Sequence, residues 1–203
     1  MGKILTAGQG MNQEILKQKL KAKANLSDNA IERFLELAIY KKLRKNEFLI
    51  RQGEQPVYLT LIQTGCLMTY LLDTNKHPFV LQFGQELWWT GDLEGLLKDT
   101  PSIYNIKAVV ESEVYLFDKQ AFEQITAGCL DFERYFRVIF QNSLISHQKR
   151  ILRNITHTAE ENYQAFTTIF PKLELIVPQK YIASYLGITP EFLSKLRRRL
   201  ARK

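Results

Sequence analysis

Cysteine is almost missing from this sequence. Cys66 and Cys129 are the only two, too few and too far apart for a disulfide framework, and too few for an iron–sulfur cluster, which takes about four thiolates. Histidine is nearly as scarce. His77, His147 and His157 are scattered without ligand spacing, so each reads as a surface histidine and no metal site is assigned. No apolar run approaches the ~20 residues that span a bilayer, and the amino end lacks the n-region and h-region of a signal peptide. There is no Gly-rich phosphate loop and no Ser-His-Asp constellation. No catalytic residue and no cofactor follow from these absences, and the expectation is a cytoplasmic protein that is neither an enzyme nor a membrane protein.

What is present is ordinary until the last stretch. The 203 residues allow one or two domains, and 45% hydrophobic with 24% charged residues is a globular composition. Residues 172–203 hold eight Lys or Arg and two Glu, a net of +6 out of +7 for the whole chain. The basicity is therefore local, the electrostatic footprint of a nucleic-acid binder. Within it, Pro178 opens a helical pattern over Gln179–Leu186, and Gly187 supplies a residue that leaves a helix easily. Thr189 is a good N-cap for a second helix and Pro190 sits at its first position. Leu193, Leu196 and Leu200 make one apolar line, with Glu191, Lys195, Arg198 and Arg202 on the other side. Two short helices around a glycine turn, the second with a basic outer face, form the helix-turn-helix pattern that enters a major groove. Gln179, Lys180, Thr189, Pro190, Glu191, Ser194, Lys195, Arg198 and Arg202 are its candidate DNA contacts. The competing reading is a solvated helix whose cations suit the negative end of its dipole.

Upstream, residues 1–10 show no helical or strand pattern and read as a loose end, disordered or an expression remnant. Helices are predicted over 11–23, with Ile15, Leu16 and Leu20 apolar, and over 28–40, capped by Ser27. From Glu47 the period changes to two. Phe48–Ile50, Val57–Ile62, Cys66–Leu72, Phe79–Phe83, Ile103–Val110 and Val114–Phe117 read as strands separated by turn clusters at roughly 8–12 residue intervals, a barrel or roll. Asp118 caps a short helix, and a long helical pattern runs from Leu130 to Ile155. Phe132, Phe136, Phe140, Leu144, Ile151 and Ile155 form one stripe, and Val138, Ile145 and Leu152 a second. Two stripes need two partners: one covers the roll and the other meets its copy in a second subunit, with Phe136, Phe140, Leu144 and Ile151 at the interface. The alternative is a central helix of a monomer. Thr158 with Glu161 makes a capping box for the next helix.

The order roll, long helix, helix-turn-helix, with "FLIRQGEQPVYLTLIQTG" (48–65) and "IASYLGITPEFLSKLRR" (182–198), resembles the bacterial Crp/Fnr family of transcription regulators from Met11 onward. The resemblance implies an α+β fold. Its parts are an antiparallel β-roll (a double-stranded β-helix, jelly-roll-like) flanked by helices, a dimerisation helix and a winged-helix-type helix-turn-helix. It implies domains at 11–128, 129–156 and 157–203, and as partners double-stranded DNA, a second copy, RNA polymerase and a small effector. The family's cyclic-nucleotide cassette, a Gly-Glu-Leu segment and a later Arg, is altered here. Gly91-Asp92-Leu93 carries the shorter acid, and PSIYNIKA (101–108) offers Ser102 and no Arg. A bidentate phosphate contact needs a guanidinium. Trp88 and Trp89, beside the cassette, either line an apolar effector pocket or plug an empty one. The leading expectation is a homodimeric DNA-binding regulator. The alternative is a ligand-sensing roll without DNA function, which leaves the local +6 unexplained.

Overall fold

The computed structural model describes residues 4–6, 13–24 and 26–201. Strand β1 (Ile4–Thr6) corrects the expectation of a patternless amino end, because it pairs antiparallel with residues 39–41. Three residues are too few for a period to be legible. The rest of 1–12, including Met11, and the side chain of Ile15 lie outside the described residues. Helix α1 (Gln13–Ala24) follows, then α2 (Asp28–Leu37), capped by Ser27, whose hydroxyl accepts from the Ala30 N–H at 3.4 Å. Helix α2 stops three residues short of the predicted end. Ala38 is extended, and Ile39–Leu43 is strand β2, paired with Ser112–Leu116. The helical spacing of Leu35 and Ala38 ran on into a β-branched residue with a sheet partner, and tertiary pairing overrode propensity.

Strands β3 (Phe48–Ile50), β4 (Tyr58–Thr64), β5 (Leu67–Leu72), β6 (Pro78–Gly84), β7 (Trp89–Thr90), β8 (Asn105–Ala108) and β9 (Ser112–Asp118) complete two antiparallel sheets, with helix α3 (Leu93–Lys98) between β7 and β8. Their orders are β1-β2-β9-β4-β7 and β3-β8-β5-β6. Residues 84–102, which carry no strand or helix period in the sequence, thus hold β7 and α3. The turn after β4 is a corner between sheets, not a hairpin. Gly65 makes it at φ +91°, where a Cβ would sit 2.7 Å from the Glu111 carbonyl oxygen.

Alternation along the strands explains the packing. Ile62, Val114 and Leu116 point inward to meet Leu67, Ile106 and Ala108 of the other sheet. Their neighbours Leu61, Tyr115 and Phe117 point outward, where α1, α2 and the start of the long helix cover them. The outer face of the second sheet, through Met68, Tyr70, Val80 and Phe83, is covered by helices from the carboxyl-terminal segment.

That segment begins with α4 (Lys119–Gly128), capped by Asp118, and the 27-residue α5 (Leu130–Thr156). Helix α6 (Ala159–Ile169) opens with the expected capping box, Glu161 N–H to Thr158 Oγ1 at 3.3 Å and Thr158 N–H to Glu161 Oε2 at 2.7 Å. The connector is one turn, α7 (Leu173–Ile176), before α8 (Gln179–Leu186) and α9 (Pro190–Leu200). No strand follows β9 among the described residues, so the carboxyl-terminal domain is helical there and the expected winged form has no wing strands within them. Glu174 ties three of these helices together. It accepts from the Tyr163 hydroxyl at 2.5 Å and sits 3.8 Å from Arg197.

Ser184 of α8 fastens the helical domain to β6. The Val80 N–H donates to its hydroxyl oxygen at 3.0 Å, and the hydroxyl donates to the Pro78 carbonyl at 2.6 Å. Ser184→Ala leaves both backbone groups without these partners, and should lower stability by about 1–3 kcal/mol. Urea unfolding checks this, as a lower midpoint at unchanged slope. An unchanged midpoint would show the tie to be idle.

Candidate nucleic-acid interface and effector groove

The local geometry of 178–201 follows its sequence closely. Gly187 leaves α8 at φ 69°, and the Ile188 N–H returns to the Ala183 carbonyl at 3.0 Å. Thr189 Oγ1 accepts from the Phe192 N–H at 3.2 Å, and Pro190 occupies the first helical position. Leu193 and Leu196 are buried against α8, and Leu200 is half-buried. Gln179, Lys180, Thr189, Pro190, Glu191, Lys195 and Arg198 are exposed, and Ser194 is half-buried beside Arg198, whose guanidinium reaches its hydroxyl at 3.4 Å. Arg202 lies outside the described residues.

The run Arg197–Arg199 divides. Arg197 faces Glu174, and Arg199 pairs with Glu160 at the start of α6. Both are turned toward their own domain, whereas Arg198 has only the weak contact to Ser194. Phe192, which is not among the candidate contacts, is 49% exposed next to Glu191. Its signal was there: it falls off the line of Leu193, Leu196 and Leu200, where a core phenylalanine would be.

Helix α5 has three faces. Its first turns carry Phe132 and Phe136 into the core, with Phe132 stacked on Phe34 at 5.2 Å. Phe136 therefore does not belong to a subunit interface; it is 3% exposed, buried against its own roll. Beyond it, Phe140, Leu144 and Ile151 are open to solvent, as are Val138, Ile145, Leu152 and Ile155. The two expected stripes merge into one broad apolar face, with Gln141 and Gln148 between them. The third face, with Ile139, Ser143, Ser146 and Arg150, looks across a groove of about 620 Å³ toward β6, β7 and α8.

The cassette residues do not converge on one ligand. Asp92 is buried and its carboxylate accepts from the Gly95 N–H at 2.9 Å, capping α3. The Ser102 hydroxyl is taken up by the Tyr104 backbone, at 3.1 and 3.3 Å, and its own backbone pairs with Gly53 and Glu54. Gly95 is packed so closely that a Cβ would lie 2.9 Å from the Thr100 carbonyl. Lys107 points away, donating to the Tyr181 hydroxyl at 3.2 Å. Trp88 and Trp89 also separate. Trp89 packs among Phe34, Phe117 and Phe136 and donates to the Tyr135 hydroxyl at 3.2 Å. Trp88 leans on Phe170 and, with Gly91 and Leu93, lines the groove. Cys66 is buried, and burial pushes its thiol up to about 12, so it is held as an inert thiol. Among the described residues no group of His, Cys, Asp and Glu is assembled for a metal, and no helix is long and apolar enough to cross a membrane.

The family model of the cyclic nucleotide-binding domain matches residues 40–128. No curated protein matches the sequence. Among solved structures, FixK2 from Bradyrhizobium japonicum superposes with a TM-score of 0.70 at 19% identity, covering 81% of this chain and 85% of its own. CLP from Xanthomonas campestris, described as a c-di-GMP responsive global regulator, gives 0.69 at 14%, covering 87% and 92%. A protein from Eubacterium rectale assigned to the Crp/Fnr family of transcriptional regulators gives 0.66 at 15%, covering 87% and 84%. The chain has the fold of these regulators, a cyclic nucleotide-binding-type roll followed by a helical carboxyl-terminal region.

A roll of this type whose acid caps its own helix, and which has no arginine in the cassette, should not hold a cyclic nucleotide. A charge-assisted phosphate contact is worth about 1.5–3 kcal/mol. Calorimetry with cyclic AMP and cyclic GMP should show no micromolar binding. A micromolar dissociation constant would mean that another residue supplies the contact.

Proposed function

We propose that the protein is a homodimeric, sequence-specific DNA-binding transcription regulator of the Crp/Fnr type. Its effector roll is at 11–128, its dimerisation helix at 129–156 and its DNA-binding domain at 157–203. The observation that carries this reading is the outer face of α9. A capped helix-turn-helix presents Glu191, Ser194, Lys195 and Arg198 together, while the neighbouring Arg197 and Arg199 are engaged within the domain. In this reading Glu191 accepts from cytosine N4 and Lys195 donates to guanine O6 or N7. Arg198 and Arg202, with Gln179 and Lys180 at the start of α8, meet phosphates. Thr189 and Pro190 set the end of the helix that enters the groove first. Phe192 adds an apolar contact of the kind a thymine methyl accepts. RNA polymerase is the downstream partner and the site of action is cytoplasmic. No catalysis is assigned.

The homodimer is supported by the open face of α5. Phe140, Leu144 and Ile151, flanked by Ile145, Leu152 and Ile155, are all more than 40% exposed in the single chain. Pairing about a two-fold axis would cover them and set two α9 helices about 34 Å apart, one turn of DNA. Control by an effector in the roll or its groove completes the reading. A ligand sensor without DNA function would account for the roll, but not for the face of α9.

Two outcomes test the DNA half. Glu191→Ala should relax the preference at one base pair per half-site by about 1–3 kcal/mol with little change in salt dependence. Arg198→Ala should weaken all sequences alike and reduce the salt slope by about one per half-site. Site selection on both variants at two salt concentrations measures these; loss of thermal stability alone with Glu191→Ala would mean that the residue serves the helix dipole. For the dimer, Leu144→Glu together with Ile151→Glu should give monomers in sedimentation, because four like charges would be desolvated in the seam. A wild-type monomer at micromolar concentration would end the dimer reading.

A further inference from the structure

The groove beside α5 is charged at one end only. Arg150 and Arg153 stand where α5 meets α6 and α8, next to Asn162 and Tyr185, and among the described residues no Asp or Glu lines the groove. Arg150 donates to the Leu81 carbonyl of β6 and lies over the Tyr185 ring, 4.7 Å from its centroid. The Arg153 guanidinium makes no hydrogen bond or ion pair among the described residues. Leu81 and Ile169 lie beside the arginines, and the remaining walls set apolar Leu87, Trp88, Phe140 and Phe170 among polar Gln82, Thr90, Asn142, Ser143, Ser146 and His147. A volume of about 620 Å³ suits a small organic molecule. Two guanidinium groups beside an apolar wall, with no acid to neutralise them, attract an anion and suit bidentate contact with its oxygens.

We propose that this groove binds a small amphipathic anion: an aromatic or acyl body without a sugar, carrying one acidic head. The head sits between Arg150 and Arg153, and the body lies over Trp88, Leu87 and Phe140. Arg150 gives such a ligand a grip on the carboxyl-terminal domain. It bridges the Leu81 carbonyl of the roll and Tyr185 of α8, and α8 is the first helix of the helix-turn-helix. An anion drawing the guanidinium into the groove weakens both contacts, so occupancy shifts the docking of α8 on β6. This regulatory half rests on the DNA-binding reading above, whereas the site itself does not.

The probes are anilinonaphthalene sulfonate, an aromatic anion, and N-phenylnaphthylamine, its neutral analogue, titrated by fluorescence into the full chain. The sulfonate should bind saturably at one per chain. Arg153→Gln, which removes a guanidinium without a structural partner, should weaken it by about tenfold or more, equivalent to the ~1.5–3 kcal/mol of a charged hydrogen bond, and leave the neutral dye within about twofold. Trp88→Ala should weaken both dyes. Arg150→Gln should act like Arg153→Gln; if that variant unfolds, Arg153→Gln and a partial loss with Arg153→Lys carry the test. Unsaturable binding, or equal losses for both dyes with Arg153→Gln, would overturn the site. A gel shift of random duplex DNA with and without the sulfonate reads the regulatory half. An altered DNA affinity supports it and an unchanged one overturns it. No DNA binding in the dye-free protein would sink the regulator reading and with it this half, while the dye titration still decides the site.

Discussion

The strands of the roll are apolar on both faces, and the rest of the molecule is arranged around that constraint. Ile62, Val114 and Leu116 fill the space between the sheets, while Leu61, Tyr115 and Phe117 need a second cover on the outside. Met68, Tyr70, Val80 and Phe83 make the same demand on the opposite sheet. Each buried aromatic or aliphatic side chain contributes on the order of 1.5–3 kcal/mol, so neither outer face can be left wet. The amino-terminal helices with the root of α5 answer the first demand, and α6 to α8 answer the second. The helix-turn-helix is thus a structural lid on the roll as well as a candidate reader of DNA. The groove, the roll and α9 consequently share continuous packing, and Phe83, with Phe166, Phe170 and Tyr185 around it at 5.4–6.3 Å, is at its centre.

What was legible in the sequence was local. Ser27, Asp118, Thr158 and Thr189 each announce a helix, because a cap is a contact between residues three apart. Gly187 and Pro190 fix the turn for the same reason. What was not legible depended on partners far along the chain. Strand β2 continues an apolar helical spacing, and only its pairing with β9 makes Ile39 and Tyr40 extended. Phe136 and Phe140 lie on one stripe of α5, yet one packs on Trp89 at 5.0 Å inside the core and the other lies at the solvent boundary. Where the roll ends, and the helix runs free of it, is a fact of the third dimension. Arg150 and Arg153 belong to the same class. In the sequence they are cations on a long helix, and the aromatic wall of the groove comes from Trp88, just before β7, and Phe170, which caps α6.

The charge of the last segment needs the same correction. A net of +6 over residues 172–203 already counts Glu174, the partner of Arg197, but not Glu160, which pairs with Arg199 from outside the segment. Exposed ion pairs are worth little in stability. Their effect here is on direction: they turn two of three consecutive guanidiniums inward and leave Arg198 facing out. Lys180 is similarly placed over the Tyr181 ring at 5.0 Å, a position that keeps its ammonium at the mouth of the motif. Among the described residues of α8 and α9, Lys180, Lys195 and Arg198 are the cations without a carboxylate partner.

Ser184 has a role beyond fastening one domain to another. Among the described residues strand β6 ends its sheet, so on one side it offers a row of amide and carbonyl groups with no strand beside them. Such a margin is a template for pairing with other chains. The serine hydroxyl satisfies one N–H and one C=O of that row, and α8 lies across the rest. The helix-turn-helix therefore shields the sheet from self-association. Any motion that swings it fully away exposes both an apolar face and an unpaired strand, which favours small displacements of α8 over its release. It also follows that a roll cut off after α5 would be a poor stand-in for the roll within the full chain, prone to aggregate through the very surface that the carboxyl-terminal helices keep covered.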